Sequence, residues 1–173
     1  HLCNILKSTG SKITRETIAD YLSEMQNAYL IFQLRNYTDS FVEKTMKNKT
    51  YFSDNGLLTV NTLDTNAKLL ENIVAIHLWK KYGAFGTDGL YYYHKNVEVD
   101  FYIPEKKIAI QVCYNLNGDS GQTRSREINA LLKAGEFLKV NQMIIITMDE
   151  EYTIDVNHQT INILPVWKWL LDE

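Results

Sequence analysis

The sequence predicts an α/β fold, and two observations carry that prediction. Amphipathic helical segments alternate along the chain with short runs rich in aromatic and β-branched residues, which are typical of strands. One of these runs, residues 143–147, is almost entirely apolar, as expected for a strand buried on both faces of a sheet. With 173 residues, of which 45% are hydrophobic, the chain is long enough to bury a packed core.

The first third of the chain predicts part of a winged helix. Residues 14–29 carry apolar side chains at helical spacing, and Thr14 suits the N-cap of that helix. A short helix ending near Gly10 is predicted before it, and strands at residues 30–34 and 50–53 are predicted after it. Because the chain starts without Met and inside a helical pattern, we expect further sequence upstream.

The rest of the chain predicts an α/β unit with two long helices, over residues 67–82 and 123–140. The predicted strands are residues 90–94, 97–103, 107–114, 143–147, 152–156 and 161–164. Pro165 suits the first turn of a closing helix, because its missing N–H costs nothing there. That apolar helix also leaves open a structural or oligomerisation role, although docking on its own sheet is the simpler interpretation.

Composition narrows the function without deciding it. The net charge of -3 lacks the global basic excess of many nucleic-acid binders, although a local basic face stays open. Cys3 and Cys113 are too far apart in sequence to form a metal-binding pair, and reduced thiols are the simpler interpretation. The sequence shows no membrane span and no signal-peptide pattern at its start, which predicts a cytoplasmic protein.

The residues that suggest chemistry lie in two consecutive predicted strands. Asp100 comes late in the first, and Gln111-Val112-Cys113 follows in the second after ten intervening residues. This spacing resembles the hairpin of the PD-(D/E)xK nuclease superfamily. In such a site the Asp and the next acidic residue hold Mg²⁺, and a lysine two residues later orients the attacking water. Because side chains alternate along a strand, Gln111 and Cys113 are expected on the same face.

The resemblance extends beyond the hairpin, through four segments that occur in order. They are Tyr51-Phe52-Ser53-Asp54-Asn55-Gly56-Leu57, Leu70-Glu71-Asn72-Ile73-Val74, Glu98-Val99-Asp100-Phe101 and Ile110-Gln111-Val112-Cys113-Tyr114. Together they resemble the uncharacterised C-terminal domain of a large family of bacterial and archaeal AAA-type ATP-binding proteins.

That resemblance implies a restriction-endonuclease-like mixed sheet flanked by helices over residues 63–173, preceded by a partial winged-helix segment over residues 1–62. It also implies an ATP-binding module outside this chain, because no Gly-rich Walker loop is present here. No cofactor is expected within the chain itself.

The resemblance assigns Glu71, Asp100, Gln111 and Cys113 to the four site positions. Gln111 lacks the negative charge of a metal ligand, and Cys113 offers a weak neutral donor where lysine is needed. Losing one transition-state donor typically costs about 10²–10³ in rate. We therefore expect a vestigial, non-catalytic site in a module that recognises DNA, another nucleic acid or a protein partner.

The alternative is a divergent DNA nuclease that binds Mg²⁺ or Mn²⁺ through Asp100 and Gln111. It requires a lysine supplied from elsewhere in the fold, and Lys133 and Lys95 are the candidates. The sequence alone does not bring either one to the site.

Other basic residues carry two interpretations each. Lys44, Lys47 and Lys49 lie in the predicted wing, where they either contact phosphates or belong to a solvated loop. Arg124 and Arg126, at the start of the second long helix, either border a phosphate-binding groove or form ordinary ion pairs.

Overall fold

The computed structural model describes residues 14–37, 48–59, 66–83, 89–118 and 121–171. Its helices are α1 (Arg15–Asn27), α2 (Asn55–Thr59), α3 (Asn66–Leu78), α4 (Gln122–Leu138) and α5 (Val166–Leu171). Its strands are β1 (Ile31–Leu34), β2 (Lys49–Phe52), β3 (Tyr91–His94), β4 (Glu98–Ile103), β5 (Ile108–Val112), β6 (Gln142–Thr147), β7 (Tyr152–Val156) and β8 (Gln159–Pro165). The predicted α/β fold is confirmed.

A six-stranded mixed sheet, in the order β3-β4-β5-β6-β8-β7, forms the centre of the fold. The pairs β3–β4, β4–β5 and β7–β8 are antiparallel, whereas β5–β6 and β6–β8 are parallel. The parallel step from β5 to β6 requires a crossover, which α4 provides. Residues 143–147 of β6 are buried throughout, as the apolar run predicted.

Helices cover both faces of this sheet. On one face, Leu70 and Val74 of α3 and Trp169 of α5 pack in a core that includes Phe101. On the other face, Leu131 of α4 belongs to a second core, which lies beneath that helix. None of the helices in the described part of the chain is long and apolar enough to span a bilayer.

The β1–β2 hairpin joins the sheet at its β3 edge. After β1, the N–H of Tyr37 donates to the carbonyl of Tyr92 at 2.8 Å, and the N–H of Tyr92 donates to the carbonyl of Arg35 at 3.1 Å. The Asn36 side chain both donates to and accepts from the His94 backbone, at 2.8 Å each. This pairing fixes the hairpin beside the strands that carry the candidate site.

The hairpin also shares the core of the α/β unit. Phe32, Leu34 and Tyr51 belong to the same buried cluster as Val74 and Phe101. The boundary predicted at residue 62 therefore separates two segments with a common core. The first helix predicted for the winged helix lies outside the described residues.

Several details differ from the predicted elements. Pro165 ends β8, so that α5 begins one residue later, and β5 ends at Val112 before the predicted residue 114. The helix predicted over residues 67–82 ends as an α-helix at Leu78, and the chain continues as a π-helical turn over Trp79–Gly83. Trp79 stacks on Phe32 with ring centroids 4.8 Å apart, so the turn is held against the hairpin. The short helix α2 carried no periodic apolar pattern long enough to be predicted.

Candidate functional site

The structure brings three of the four predicted site residues to one cavity. Glu71 from α3, Asp100 from β4 and Gln111 from β5 line a space of about 560 Å³. Asp100 and Gln111 are each only 7% exposed. Buried polar side chains of this kind require hydrogen-bond partners, and their partners define the chemistry of the site.

Asp100 and Gln111 hold each other in place across the β4–β5 pair. The N–H of Asp100 donates to Gln111 Oε1 at 3.2 Å, and the N–H of Val112 donates to Asp100 Oδ2 at 3.0 Å. Gln111 Nε2 donates to Glu127 Oε2 at 2.6 Å. Both ends of the Gln111 amide are therefore engaged inside the protein.

The lysine that forms ion pairs with the carboxylates of the site is Lys49, the first residue of β2. Its Nζ lies 2.8 Å from Asp100 Oδ1, 2.6 Å from Glu98 Oε1 and 3.6 Å from Glu71 Oε1. The Lys49 side chain is only 22% exposed, so the solvated-loop interpretation is wrong for this residue. Lys44 and Lys47 lie outside the described residues.

Of the two lysines proposed from the sequence, Lys133 reaches the cavity, whereas Lys95 lies in the turn between β3 and β4. Lys133 lines the cavity from α4. The backbone N–H of Lys95 donates to the Val97 carbonyl at 3.3 Å, in the turn between β3 and β4. The contacts with Glu98 and Asp100 instead belong to Lys49, which comes from the hairpin.

The charges of Lys49, Asp100 and Glu71 shift one another's pKa values. Burial lowers the pKa of Lys49, but the negative charges of Asp100 and Glu71 outweigh burial and raise it above its ordinary value. Lys49 is therefore a fully protonated ammonium at neutral pH. Burial, followed by the charge of Asp100, raises the pKa of Glu71. Tyr51 donates its hydroxyl to Glu71 Oε1 at 2.7 Å, and burial raises the Tyr51 pKa well above its ordinary value.

Glu127 of α4 is a member of the site that the sequence did not predict. It is 5% exposed and accepts the Gln111 amide on Oε2. Its Oε1 accepts two hydrogen bonds from Arg126, from Nε at 3.0 Å and from Nη2 at 2.6 Å. This contact favours the ordinary ion-pair interpretation of Arg126, although Arg126 also lines the cavity.

Cys113 lies just after β5, outside the set of residues that line the cavity. Its thiol donates to the Asn115 carbonyl at 3.4 Å. Burial, with a contribution from the charge of Glu127, raises the pKa of Cys113 to about 11. At neutral pH this residue is a neutral thiol and supplies no cationic group.

The arrangement does not fit a magnesium site. Mg²⁺ requires several oxygen ligands in near-octahedral geometry. Here Asp100 Oδ1 binds Lys49, Asp100 Oδ2 accepts the Val112 N–H, and Gln111 Oε1 accepts the Asp100 N–H. Within the described ranges, no group of three or more His, Cys, Asp or Glu side chains is arranged to hold a metal ion.

Weak signals for Lys49 and Glu127 were present in the sequence. Lys49 opens a short strand in which Tyr51 faces the core, and period-2 alternation puts Lys49 on the same face. Glu127 lies three and four residues before Ala130 and Leu131, at the spacing of a buried helix face. A charged residue on a buried face requires a partner, but the sequence does not identify which one.

Comparison with known proteins gives two similarities. Residues 3–69 match a family model described as Domain of unknown function (DUF8612), a range that includes Lys49 and ends before Glu71. The chain is also similar to Uncharacterized protein MJ1544 of Methanocaldococcus jannaschii, with 38% identity over 180 aligned positions that cover 98% of this chain. It spans 40% of that protein's length. No solved structure matches the chain.

Proposed function

We propose that this chain is the C-terminal accessory module of a longer, cytoplasmic AAA-type ATP-binding protein, and that it is a catalytically inactive, nuclease-like module that recognises a nucleic acid or a protein. The observation that carries the proposal is the position of Lys49, whose ammonium binds Asp100 and Glu98. Asp100, which would hold a metal in an active site of this kind, is thereby paired with a cation from within the fold.

The internal hydrogen bonding of the site supports a non-catalytic role. Among the described residues, every buried side-chain nitrogen and oxygen has a hydrogen-bond partner. A hydrolytic metal centre must keep oxygen ligands available for the ion and room for the attacking water. In this site the Gln111 amide is committed to the Asp100 backbone and to Glu127.

The charge of the cavity constrains what it can recognise. Its lining includes Glu71, Glu98, Asp100 and Glu127, against two basic residues, Arg126 and Lys133. Phosphate binding depends on an excess of Lys and Arg, so a nucleic acid is expected to bind this module elsewhere than in the cavity. Binding of DNA and RNA to the full-length protein should be measured across salt concentration. A steep salt dependence supports nucleic-acid recognition, whereas no binding favours a protein partner.

The ATP-binding part of the proposal rests on the family resemblance and on length. Because this chain spans 40% of the relative from Methanocaldococcus jannaschii, that protein has room for a further module. We propose that ATP binds in such a module. Measuring ATP hydrolysis by the full-length protein tests this step, and the absence of any ATP binding contradicts it.

Cleavage assays test the loss of nuclease activity directly. The full-length protein and its Asp100→Ala variant should be incubated with linear and branched DNA in Mg²⁺ and in Mn²⁺. We expect no cleavage by either protein. Metal-dependent cleavage by the unaltered protein that disappears in Asp100→Ala contradicts the proposal.

A divergent metal-dependent DNA nuclease is the second candidate, and one observation favours it. The two groups missing from the sequence motif, a carboxylate and an ammonium, are both supplied near the cavity by Glu127 and Lys49. If this candidate is correct, Lys49→Ala and Glu127→Gln should each abolish the metal-dependent cleavage that Asp100→Ala abolishes. Cleavage that survives all three substitutions belongs to another site or to a contaminant.

A further inference from the structure

The ammonium of Lys49 and the carboxylates around it come from three different elements. Lys49 belongs to β2 of the hairpin, Glu71 to α3, and Glu98 and Asp100 to β4. Its Nζ lies within 4.0 Å of an oxygen of each carboxylate. The ion pairs therefore connect the hairpin to a helix and to the central sheet at a single atom.

The carboxylates need a cation at this position. Asp100 has a side-chain exposure of 10%, and Glu71 of 32%, so water screens their mutual repulsion only partly. The raised pKa of Glu71, caused by burial and by the charge of Asp100, is in keeping with that repulsion. The hydroxyl of Tyr51 and the N–H of Val112 supply neutral hydrogen bonds, whereas Lys49 supplies positive charge.

We propose that Lys49 is the resident cation of this site and acts as a built-in replacement for a divalent metal ion. Its ammonium holds the hairpin to α3 and β4 and at the same time excludes Mg²⁺ or Mn²⁺ from Asp100. Binding of the Lys49 ammonium and binding of a divalent cation are mutually exclusive, because both use Asp100 Oδ1. This inference rests on the proposed absence of a catalytic metal.

Replacing Lys49 tests the proposal, because it should convert the cluster into a metal site. In chelator, Lys49→Met is expected to melt at a lower temperature than the unaltered protein, and Mn²⁺ or Mg²⁺ should recover part of the loss. Calorimetry should show Mn²⁺ binding at least about tenfold tighter to Lys49→Met than to the unaltered protein. Lys49→Arg keeps the charge and is the matched control, with a melting temperature that metal does not change.

The double variant Lys49→Met, Asp100→Asn assigns the metal response to this cluster, because it should lose the response. The proposal is overturned if metal changes neither the melting temperature nor the calorimetry of Lys49→Met. It is also overturned if the unaltered protein binds Mn²⁺ and Asp100→Asn removes that binding. If Lys49→Met does not fold in chelator, the soluble yield after refolding with Mn²⁺ decides: recovery supports the proposal and no recovery overturns it. DNA cleavage by the unaltered protein contradicts the proposed function, whereas metal-insensitive Lys49→Met contradicts only this inference.

Discussion

Asp100 and Glu150 both accept backbone N–H groups, but their other partners differ. Glu150 Oε1 accepts from the N–H groups of Leu116 and Asn117, at 2.7 and 3.2 Å, and its Oε2 accepts from the Asn117 amide and the Tyr152 hydroxyl. All four donors are neutral. Asp100 accepts the N–H of Val112 and also binds the ammonium of Lys49.

This difference separates a carboxylate held by neutral hydrogen-bond donors from one that is paired with a cation. Glu150 orders the loop after β5, and Arg124 completes that network through Asn117 at 3.0 Å. In this network the carboxylate of Glu150 acts as a hydrogen-bond acceptor and depends little on an opposite charge. Asp100 is 7% exposed and lies near two other carboxylates, so its charge must be balanced by a cation. The comparison predicts that the two regions respond unequally to substitution.

The largest effect is expected for Lys49→Met measured at neutral pH without metal. Removing one partner of a buried ion pair leaves uncompensated charge, which typically costs about 3–5 kcal/mol in the free energy of unfolding. Urea denaturation measures this loss, and Lys49→Arg should recover most of it. A loss below that of Glu150→Gln removes the distinction between the two regions.

A smaller effect is expected for Glu150→Gln. The amide keeps one carbonyl acceptor but loses the charge-assisted hydrogen bonds, so we expect a loss of about 1 kcal/mol. Urea denaturation, with Glu151→Gln as the neighbouring control, measures it. A loss in the free energy of unfolding as large as that of Lys49→Met contradicts the expectation that neutral donors are sufficient to stabilise Glu150.

The reactivity of Cys113 reports on both regions, because Glu127 and Glu150 each raise its pKa beyond the effect of burial. In a Cys3→Ser background, the rate of alkylation by iodoacetamide should rise with pH, and the midpoint of that rise should lie at a pH of about 11. Glu150→Gln should move the midpoint downward by a small amount. A midpoint at the ordinary thiol pKa of 9.0 indicates that Cys113 is more accessible than the structure shows.

The smallest effect concerns the pH dependence of stability at Glu71. Its pKa in the folded protein is raised above the ordinary value of 4.5. In the pH range between the ordinary pKa and the raised pKa, the folded protein therefore binds more protons than the unfolded chain. The stability that this provides is present at low pH and is lost as pH rises through the raised value. Glu71→Gln should remove this component of the slope, which denaturation from pH 4 upward can measure. An unchanged slope means that Glu71 does not contribute.

The sequence predicted the elements well because their signals are local. The helix that follows its N-cap Thr14, the buried run in β6 and the Asp100–Gln111 hairpin each depend on spacing within a short segment. The partners of the site did not follow from spacing. Lys49 is 51 residues from Asp100, and Glu127 is 16 residues from Gln111.

Which lysine pairs with Asp100 depends on how the β1–β2 hairpin docks on the sheet. No periodic pattern in the sequence encodes that docking. The sequence drew attention to Lys133 and Lys95, because both lie in the α/β unit that carries the motif. Lys49 was grouped with the wing, since the common core of the hairpin and the sheet could not be read from either segment alone. The position of Cys113 outside the cavity lining likewise depends on where β5 ends.

The attachment of residues 35–37 to β3 has a further consequence, for solubility. An edge strand with free N–H and C=O groups is a template on which another chain can add a strand and start aggregation. At β3 the carbonyl and N–H of Tyr92 bind the backbone of residues 35 and 37. The side chain of Asn36 takes the place of a peptide group opposite His94. The segment that carries the hairpin to the site thus also shields this border of the sheet from self-association.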